Sequence, residues 1–180
     1  MTLRADVLHF WFEEATPEQH FKKDDAFDAA IRARFADTRA AAARGELAAW
    51  RDSADGRLAE IIVLDQFSRN LFRDSAQAFA ADGMALVLAQ EALRAGADHD
   101  LTAERRAFLY MPFMHAESRT IHLEAERLFR QPGLERNYEY ELKHKAIIDR
   151  FGRYPHRNRA LGRVSTPEEL EFIGQPDSSF

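Results

Sequence analysis

The sequence predicts an all-α fold of about nine helical segments in a single domain spanning residues 1–180. Apolar residues recur mostly at the three- and four-residue spacing of amphipathic helices, and strand-like alternation is scarce. Glycine and proline fall mainly where helix ends are expected. With 180 residues and 46% hydrophobic content, the chain is large enough to bury one continuous core.

The amino-terminal elements follow from capping signals and apolar spacing. A first helix is predicted over residues 2–13, and Thr16 with Pro17 marks the start of a second. A third is predicted over 24–44, where Gly45 can end it. Further helices are predicted at 46–51, 55–72, 76–95, 102–117, 118–130 and 135–151, with a short one starting at Thr166. Residues 175–180 are expected to form a frayed tail.

Composition excludes several classes of protein. The formal charge is −5, and basic residues are interspersed with acidic ones, which disfavours nucleic acid as a partner. The absence of cysteine excludes disulfides, thiolate nucleophiles and cysteine-ligated metals. The start of the chain lacks a signal-peptide pattern, and no apolar run approaches a membrane span. We therefore expect a cytoplasmic protein that does not bind membranes.

The segment 55–72 is apolar nearly all round, which predicts a central, buried helix. Asp65 and Arg69 fall on the same helix face as Leu58 and Ile61, so both should point into the core. An isolated buried charge costs several kcal/mol, so these side chains must pair or meet a ligand. A structural ion pair and a pocket wall are both consistent with the pattern.

Histidines occupy two further positions where apolar residues are expected. His115 and Glu117 follow Pro112, which interrupts an apolar helix. The kink that a proline causes can border a cavity. His144 lies in the apolar stripe that includes Ile147 and is expected to face inward. His115 could instead be a core residue that is hydrogen-bonded to a neighbouring acid.

Basic residues concentrate in the segment 153–163, which Pro155 prevents from continuing the preceding helix. The polar members of this segment are Arg153, His156, Arg157, Asn158, Arg159 and Arg163. Clustered guanidinium groups suit a carboxylate or a phosphate. Arginines in loops also cap helix ends or pair with surface acids, so a structural role is the alternative.

No strong catalytic motif is present. The histidines lack metal-ligand spacing, no glycine-rich loop could cradle a phosphate, and no serine lies in a nucleophile elbow. The sequence therefore predicts neither a metal site nor a cofactor.

Several long strings of residues resemble a bacterial family, domain of unknown function 924. Two of them are LDQFSRN at 64–70 and YMPFMHAES at 110–118. Others lie at 7–12, 21–24, 151–158, 161–163 and 165–169. The resemblance spans nearly the whole chain. It implies a tetratricopeptide-like α/α superhelix, although the repeat consensus is absent, and it implies no established activity.

The preferred functional hypothesis is binding of a small anionic molecule or an acidic peptide end in a polar cavity. The residues predicted to bind it are Arg69, Asn70, Arg153, His156, Arg157, Asn158 and Arg163. An alternative is a metal-independent hydrolase or lyase in which His115 or His144 is the base and Asp65 or Glu117 orients it. A third hypothesis is a protein-interaction scaffold with purely structural polar residues.

Overall fold

The computed structural model describes residues 2–175, which fold into nine α-helices joined by short loops and 3₁₀ or π turns. The α-helices are α1 (Arg4–His9), α2 (Pro17–Phe21), α3 (Asp25–Ala43), α4 (Ala54–Leu71), α5 (Asp82–Arg94), α6 (Ala103–Met114), α7 (Arg119–Phe129), α8 (Glu135–Phe151) and α9 (Pro167–Ile173). The all-α prediction is confirmed. Apart from Gln175, the predicted tail at 175–180 lies outside the described residues.

Short polar side chains fix where many of the helices begin. The side chains that accept a hydrogen bond from a first-turn backbone N–H are those of Thr16, Asp24, Ser53, Thr102, Ser118 and Thr166. At the other end of α8, Gly152 adopts a left-handed conformation with φ of 71°. These boundaries follow from local sequence, because each cap satisfies backbone groups that the helix itself leaves unpaired.

The helix predicted over residues 2–13 changes from an α-helix to a π-helix in its second half. α1 ends at His9 and a π turn follows over Phe10–Glu14, in which the Ala15 N–H donates to the Phe10 carbonyl oxygen at 3.0 Å. Phe10 and Trp11 are both buried. A wider turn allows these consecutive aromatic side chains to reach the core together.

Two other predicted helices also differ from the structure. The segment 46–51 forms a 3₁₀ turn at Ala48–Asp52 instead of an α-helix. The helix predicted over 76–95 is interrupted: a 3₁₀ turn at Ala76–Ala78 precedes α5, which begins only at Asp82. Because of this break, Phe79 and Asp82 reach the end of α4.

Helix α4 forms the centre of the molecule. Fourteen of its 18 residues are buried, and it packs against α1, α3, α5 and α6. From α3 to α8, each helix also contacts the next one in the chain. The tetratricopeptide-like label for this arrangement stays a prediction. Within residues 2–175, every helix is too short or too polar to cross a membrane.

The segment that follows α8 returns to the ends of α6 and α7. Tyr154 is fully buried, and its hydroxyl donates to the Met114 carbonyl oxygen at 2.6 Å. A 3₁₀ turn at Pro155–Arg157 comes next, so the segment does not continue the helix, as predicted from Pro155. The turn brings Arg157 toward the start of α5.

Candidate functional site

Four parts of the chain meet near the carboxyl ends of α4 and α6. Asp65 and Arg69 come from α4, Asp82 from the start of α5, His115 from the end of α6, and Arg157 from the turn after α8. Direct contacts link them in the order His115, Asp65, Arg69, Asp82, Arg157. We call these five residues the Arg69 cluster.

Asp65 is the buried carboxylate of the cluster, with 1% of its side chain exposed. Its Oδ1 lies 3.1 Å from Arg69 Nη1 and 2.8 Å from His115 Nδ1, and its Oδ2 accepts from Gln66 Nε2 at 2.6 Å. Burial alone would raise the pKa of Asp65, but the charge of Arg69 and the contact with His115 outweigh it and hold that pKa well below its usual range. Asp65 is therefore ionised at neutral pH.

Arg69 lies between two carboxylates. Its Nη1 and Nη2 each donate to an oxygen of Asp82 at 2.9 Å, and Nη1 also donates to the Asp65 backbone carbonyl at 2.8 Å. Burial opposes the charge of Arg69, but Asp65 and Asp82 outweigh this effect and raise its pKa. The bidentate geometry fixes the guanidinium plane.

Arg157 is a buried cation that uses few of its donors. Only 7% of its side chain is exposed, and its guanidinium carbon lies 4.6 Å from the ring centroid of Phe79 and 4.5 Å from that of Tyr154. Within residues 2–175, the one hydrogen bond of its side chain runs from Nη1 to Asp82 Oδ2 at 3.3 Å, and its buried Nε has no partner. Burial, followed by the nearby charge of Arg69, lowers the pKa of Arg157. The surroundings therefore compensate its charge incompletely.

His115 faces Asp65 with one ring nitrogen only. Because ionised Asp65 can only accept a hydrogen bond, Nδ1 carries the proton and Nε2 carries a lone pair. Nε2 has no hydrogen-bond partner in the described part of the chain, and 14% of the side chain is exposed. Burial and the charge of Arg69 lower the pKa of His115, so the ring is neutral at pH 7. A neutral imidazole held in this way can act as a proton acceptor.

Two more of the predicted histidines lie around Tyr154. The ring of His144 is 5.7 Å from that of Tyr154, its Nδ1 lies 2.8 Å from the Tyr140 carbonyl oxygen, and burial lowers its pKa to about 3. The ring of His156 is 5.5 Å from Tyr154, and burial lowers its pKa to about 4. The Nδ1 of His156 is buried without a hydrogen-bond partner among the described residues. Both rings are uncharged at neutral pH.

Glu117 forms no hydrogen bond or ion pair with His115 among the described residues, and it holds the segment 153–163 in place. It accepts hydrogen bonds from Arg163 at 2.6 and 2.9 Å and from the Tyr154 backbone N–H at 2.7 Å. Burial would raise the pKa of Glu117, but the bonds from Arg163 and Tyr154 outweigh it and lower that pKa. Of the two acids expected to orient a histidine, Asp65 is the one in contact with His115.

Arg153 and Asn158 point toward α9. Arg153 donates to Glu169 through Nε and Nη2 at 2.6 and 2.8 Å, and Asn158 Nδ2 donates to the same carboxylate at 3.2 Å. Glu169 is also the capping-box residue of α9, with its Oε2 accepting from the Thr166 N–H. These contacts fasten α9 to the segment 153–163.

Asn70 lies outside the Arg69 cluster and donates to Asp28 on α3 at 2.8 Å. In the segment 153–163, Arg153, Arg157 and Arg163 each contact a carboxylate from another part of the chain. The expected island of positive charge is therefore divided into separate ion pairs. Arg157 has the longest of these three contacts.

Sequence reasoning missed the second carboxylate of the cluster, Asp82, and the aromatic neighbour Phe79. One continuous helix was predicted over 76–95, so the break that places Asp82 and Phe79 near Arg69 was not expected. The available signal was weak: Asp82 is an acid in the first turn of α5, a common position for any helix.

A buried pair between α7 and α8 was also missed. His122 Nδ1 lies 2.6 Å from Glu141 Oε1, and both side chains are fully buried. Burial raises the pKa of Glu141. His122 lies three and seven residues before Ala125 and Phe129, which are buried, so the periodicity of α7 was a usable signal. The described residues contain no group of three or more His, Cys, Asp or Glu arranged to hold a metal ion.

A solved structure of another protein shares this architecture. A solved structure of a protein of unknown function from Agrobacterium tumefaciens is 40% identical in sequence and superposes with a TM-score of 0.91. The match covers 96% of this chain and 97% of that one. No curated protein matches the chain at a significant level. The family model described as a bacterial protein of unknown function, DUF924, matches residues 7–177, and the chain therefore belongs to the DUF924 family.

Proposed function

We propose that this protein binds a small anionic ligand at the Arg69 cluster. The observation that carries the proposal is the state of Arg157, a nearly buried guanidinium with one long hydrogen bond and a buried, unpaired Nε. Buried arginines normally have paired donors, because an unpaired buried charge costs several kcal/mol. An anion would supply the missing acceptor and compensating charge.

A carboxylate or a phosphate fits the chemistry of the cluster. Either group can accept two hydrogen bonds from one guanidinium group. Arg69 lies next to Arg157 through their shared contact with Asp82, so it would add positive potential although its own donors are occupied. His115 and His156 would add adjustable hydrogen-bonding groups at the edge of the site.

The other residues expected to contact the ligand support the site indirectly in this proposal. Arg153, Asn158 and Arg163 would hold the segment that carries Arg157, through their contacts with Glu169 and Glu117. Asn70 would fix α3 against α4. Loss of any one of these contacts should weaken binding less than loss of Arg157 does.

The ligand class follows from the charge of the site. A single nearly buried guanidinium suits one carboxylate or phosphate group, which could belong to a small acid or to an acidic peptide end. We also propose that the protein is cytoplasmic, because such acids are abundant in the cytoplasm. Nucleic-acid chains and membranes are not proposed as partners, because the molecule carries a formal charge of −5.

A thermal-shift screen tests this proposal. The probes are inorganic phosphate, phosphate esters, nucleotides, 2-oxo acids, di- and tricarboxylates and a short acidic peptide. A ligand at one hundred times its Kd should stabilise the fold by about 2.7 kcal/mol. For a chain of this length, that corresponds to a rise in Tm of roughly 5–10 °C.

Arg157→Gln is the test variant and Arg159→Gln its matched control, because Arg159 is an exposed arginine in the same segment. We expect the variant at Arg157 to lose the ligand-induced rise in Tm and the control to keep it. If no probe raises Tm, or if both variants respond like the unchanged protein, the proposal is wrong and Arg157 has only a structural role.

A further inference from the structure

We infer that His115 is a general base that removes a proton from the carbon next to the carbonyl group of a bound 2-oxo acid. The inference rests on the proposed anion site and adds a reaction to it. It starts from the contact between Asp65 Oδ1 and His115 Nδ1, and from the lack of any hydrogen-bond partner for His115 Nε2 among residues 2–175.

The Asp65 contact gives His115 the features that a base needs. It fixes the tautomer with the proton on Nδ1, so that the lone pair on Nε2 faces away from the carboxylate. When Nε2 takes up a proton, the buried carboxylate of Asp65 stabilises the imidazolium that forms. Asp65 is a positioning residue in this scheme, and His115 is the residue that contacts the substrate.

Arg157, which would bind the carboxylate, and His115, which would act as the base, belong to the same chain of contacts. His115 is joined to Arg69 by one carboxylate, Asp65, and Arg157 is joined to Arg69 by another, Asp82. For the proposed reaction, a ligand whose carboxylate binds Arg157 must extend along this cluster so that its C3 reaches His115 Nε2.

The proposed step needs only the ligand and solvent. The C–H bond at C3 of the 2-oxo acid breaks, the proton moves to His115 Nε2, and the electron pair passes into the C2 carbonyl to give an enolate. Positive charge from Arg157 and Arg69 stabilises the enolate oxygen. In deuterated water, the proton on Nε2 of the imidazolium exchanges with solvent deuterium. When His115 then delivers this deuteron to C3, the acid is regenerated with C–D in place of C–H.

The experiment measures this exchange by proton NMR with pyruvate and 2-oxoglutarate in deuterated water. General-base catalysis typically contributes about 10²–10⁴-fold to a rate. His115→Asn keeps a donor near Asp65 but removes Nε2, so we expect it to lower the exchange rate at least about 100-fold. His99→Gln is the matched control, since His99 is exposed and lies outside the cluster.

The pH profile of the exchange rate in Asp65→Asn distinguishes a positioning role of Asp65 from a purely structural role. Asp65 raises the pKa of His115 against the lowering effects of burial and Arg69. Its removal should therefore reduce the exchange rate and also move the acid limb of the profile to lower pH. A rate that falls with no movement of the acid limb would contradict the positioning role.

The outcomes separate the two proposals. If a 2-oxo acid raises Tm but its C3 protons do not exchange faster than in buffer, the general-base inference is wrong and the binding proposal stands. If His115→Asn exchanges as fast as the control, His115 is not the base. If neither 2-oxo acid raises Tm or exchanges, the inference fails, whereas binding of a different anion would still support the proposed function.

If His115→Asn does not fold, the pH profile of the unchanged protein tests the inference instead. An acid limb at or above pH 6.5 contradicts a base with the lowered pKa of His115.

Discussion

Arg69→Met tests whether the charges of the Arg69 cluster hold the helices together. The substitution keeps a long unbranched side chain but removes the guanidinium, which makes hydrogen bonds to the Asp65 carbonyl and to the carboxylates of Asp65 and Asp82. Asp82 remains partly exposed and keeps its contact with Arg157. The main loss of stability therefore comes from Asp65, whose buried charge no longer has an arginine partner.

Removing one partner of a buried ion pair typically costs about 3–5 kcal/mol. Because Asp65 keeps its bonds to His115 and Gln66, we expect the lower end of that range, about 3 kcal/mol. For a chain of this size, the corresponding fall in Tm is roughly 6–12 °C. The Asp65→Leu/Arg69→Met double variant should recover part of the loss, since it removes the stranded charge but leaves His115 and Gln66 without an acceptor.

Urea unfolding at pH 7, followed by circular dichroism, measures these free energies. Arg94→Met is the control, because Arg94 forms an ion pair with Glu91 on the exposed face of α5 and its loss should leave stability unchanged. A cost below about 1 kcal/mol for Arg69→Met would refute the reasoning, because that is the range of surface pairs.

Two further predictions concern close packing and pH. A Cβ atom at Gly56 would lie 1.8 Å from the Trp50 carbonyl oxygen, so Gly56→Ala should cost at least about 2 kcal/mol in urea unfolding. Gly83, on α5, has open space at the same position, so Gly83→Ala should be neutral or stabilising by about 0.5 kcal/mol; equal effects would contradict the clash. Burial lowers the pKa of His144 from 6.5 to about 3, so below pH 6.5 the unfolded chain binds a proton that the folded one does not. The free energy of unfolding should therefore decrease as the pH is lowered from 6.5 to about 3. His144 alone should account for a decrease of about 1.4 kcal/mol at pH 5.5. His144→Gln should remove that component, and an unchanged pH dependence would show that His144 titrates normally.

The sequence alone was sufficient for much of the local structure. The predicted helix at 135–151 has the same bounds in α8, and the capping signals at Thr16 and Thr166 both mark helix starts. The four-residue spacing of Asp65 and Arg69 predicted that the two side chains share a face, and they are in contact. These features depend on residues a few positions apart, whose relative placement is fixed by helix geometry.

The partners of the polar residues were decided only by tertiary structure. Asp65 meets His115 across 50 positions, and Asp82 meets Arg157 across 75. Sequence offered both Asp65 and Glu117 as acids that could orient a histidine, and Glu117 binds Arg163 instead. Such choices depend on how side-chain packing sets the positions of the helix ends relative to one another. No local pattern carries that information, because the helix boundaries, caps and periodicity would be the same for either pairing.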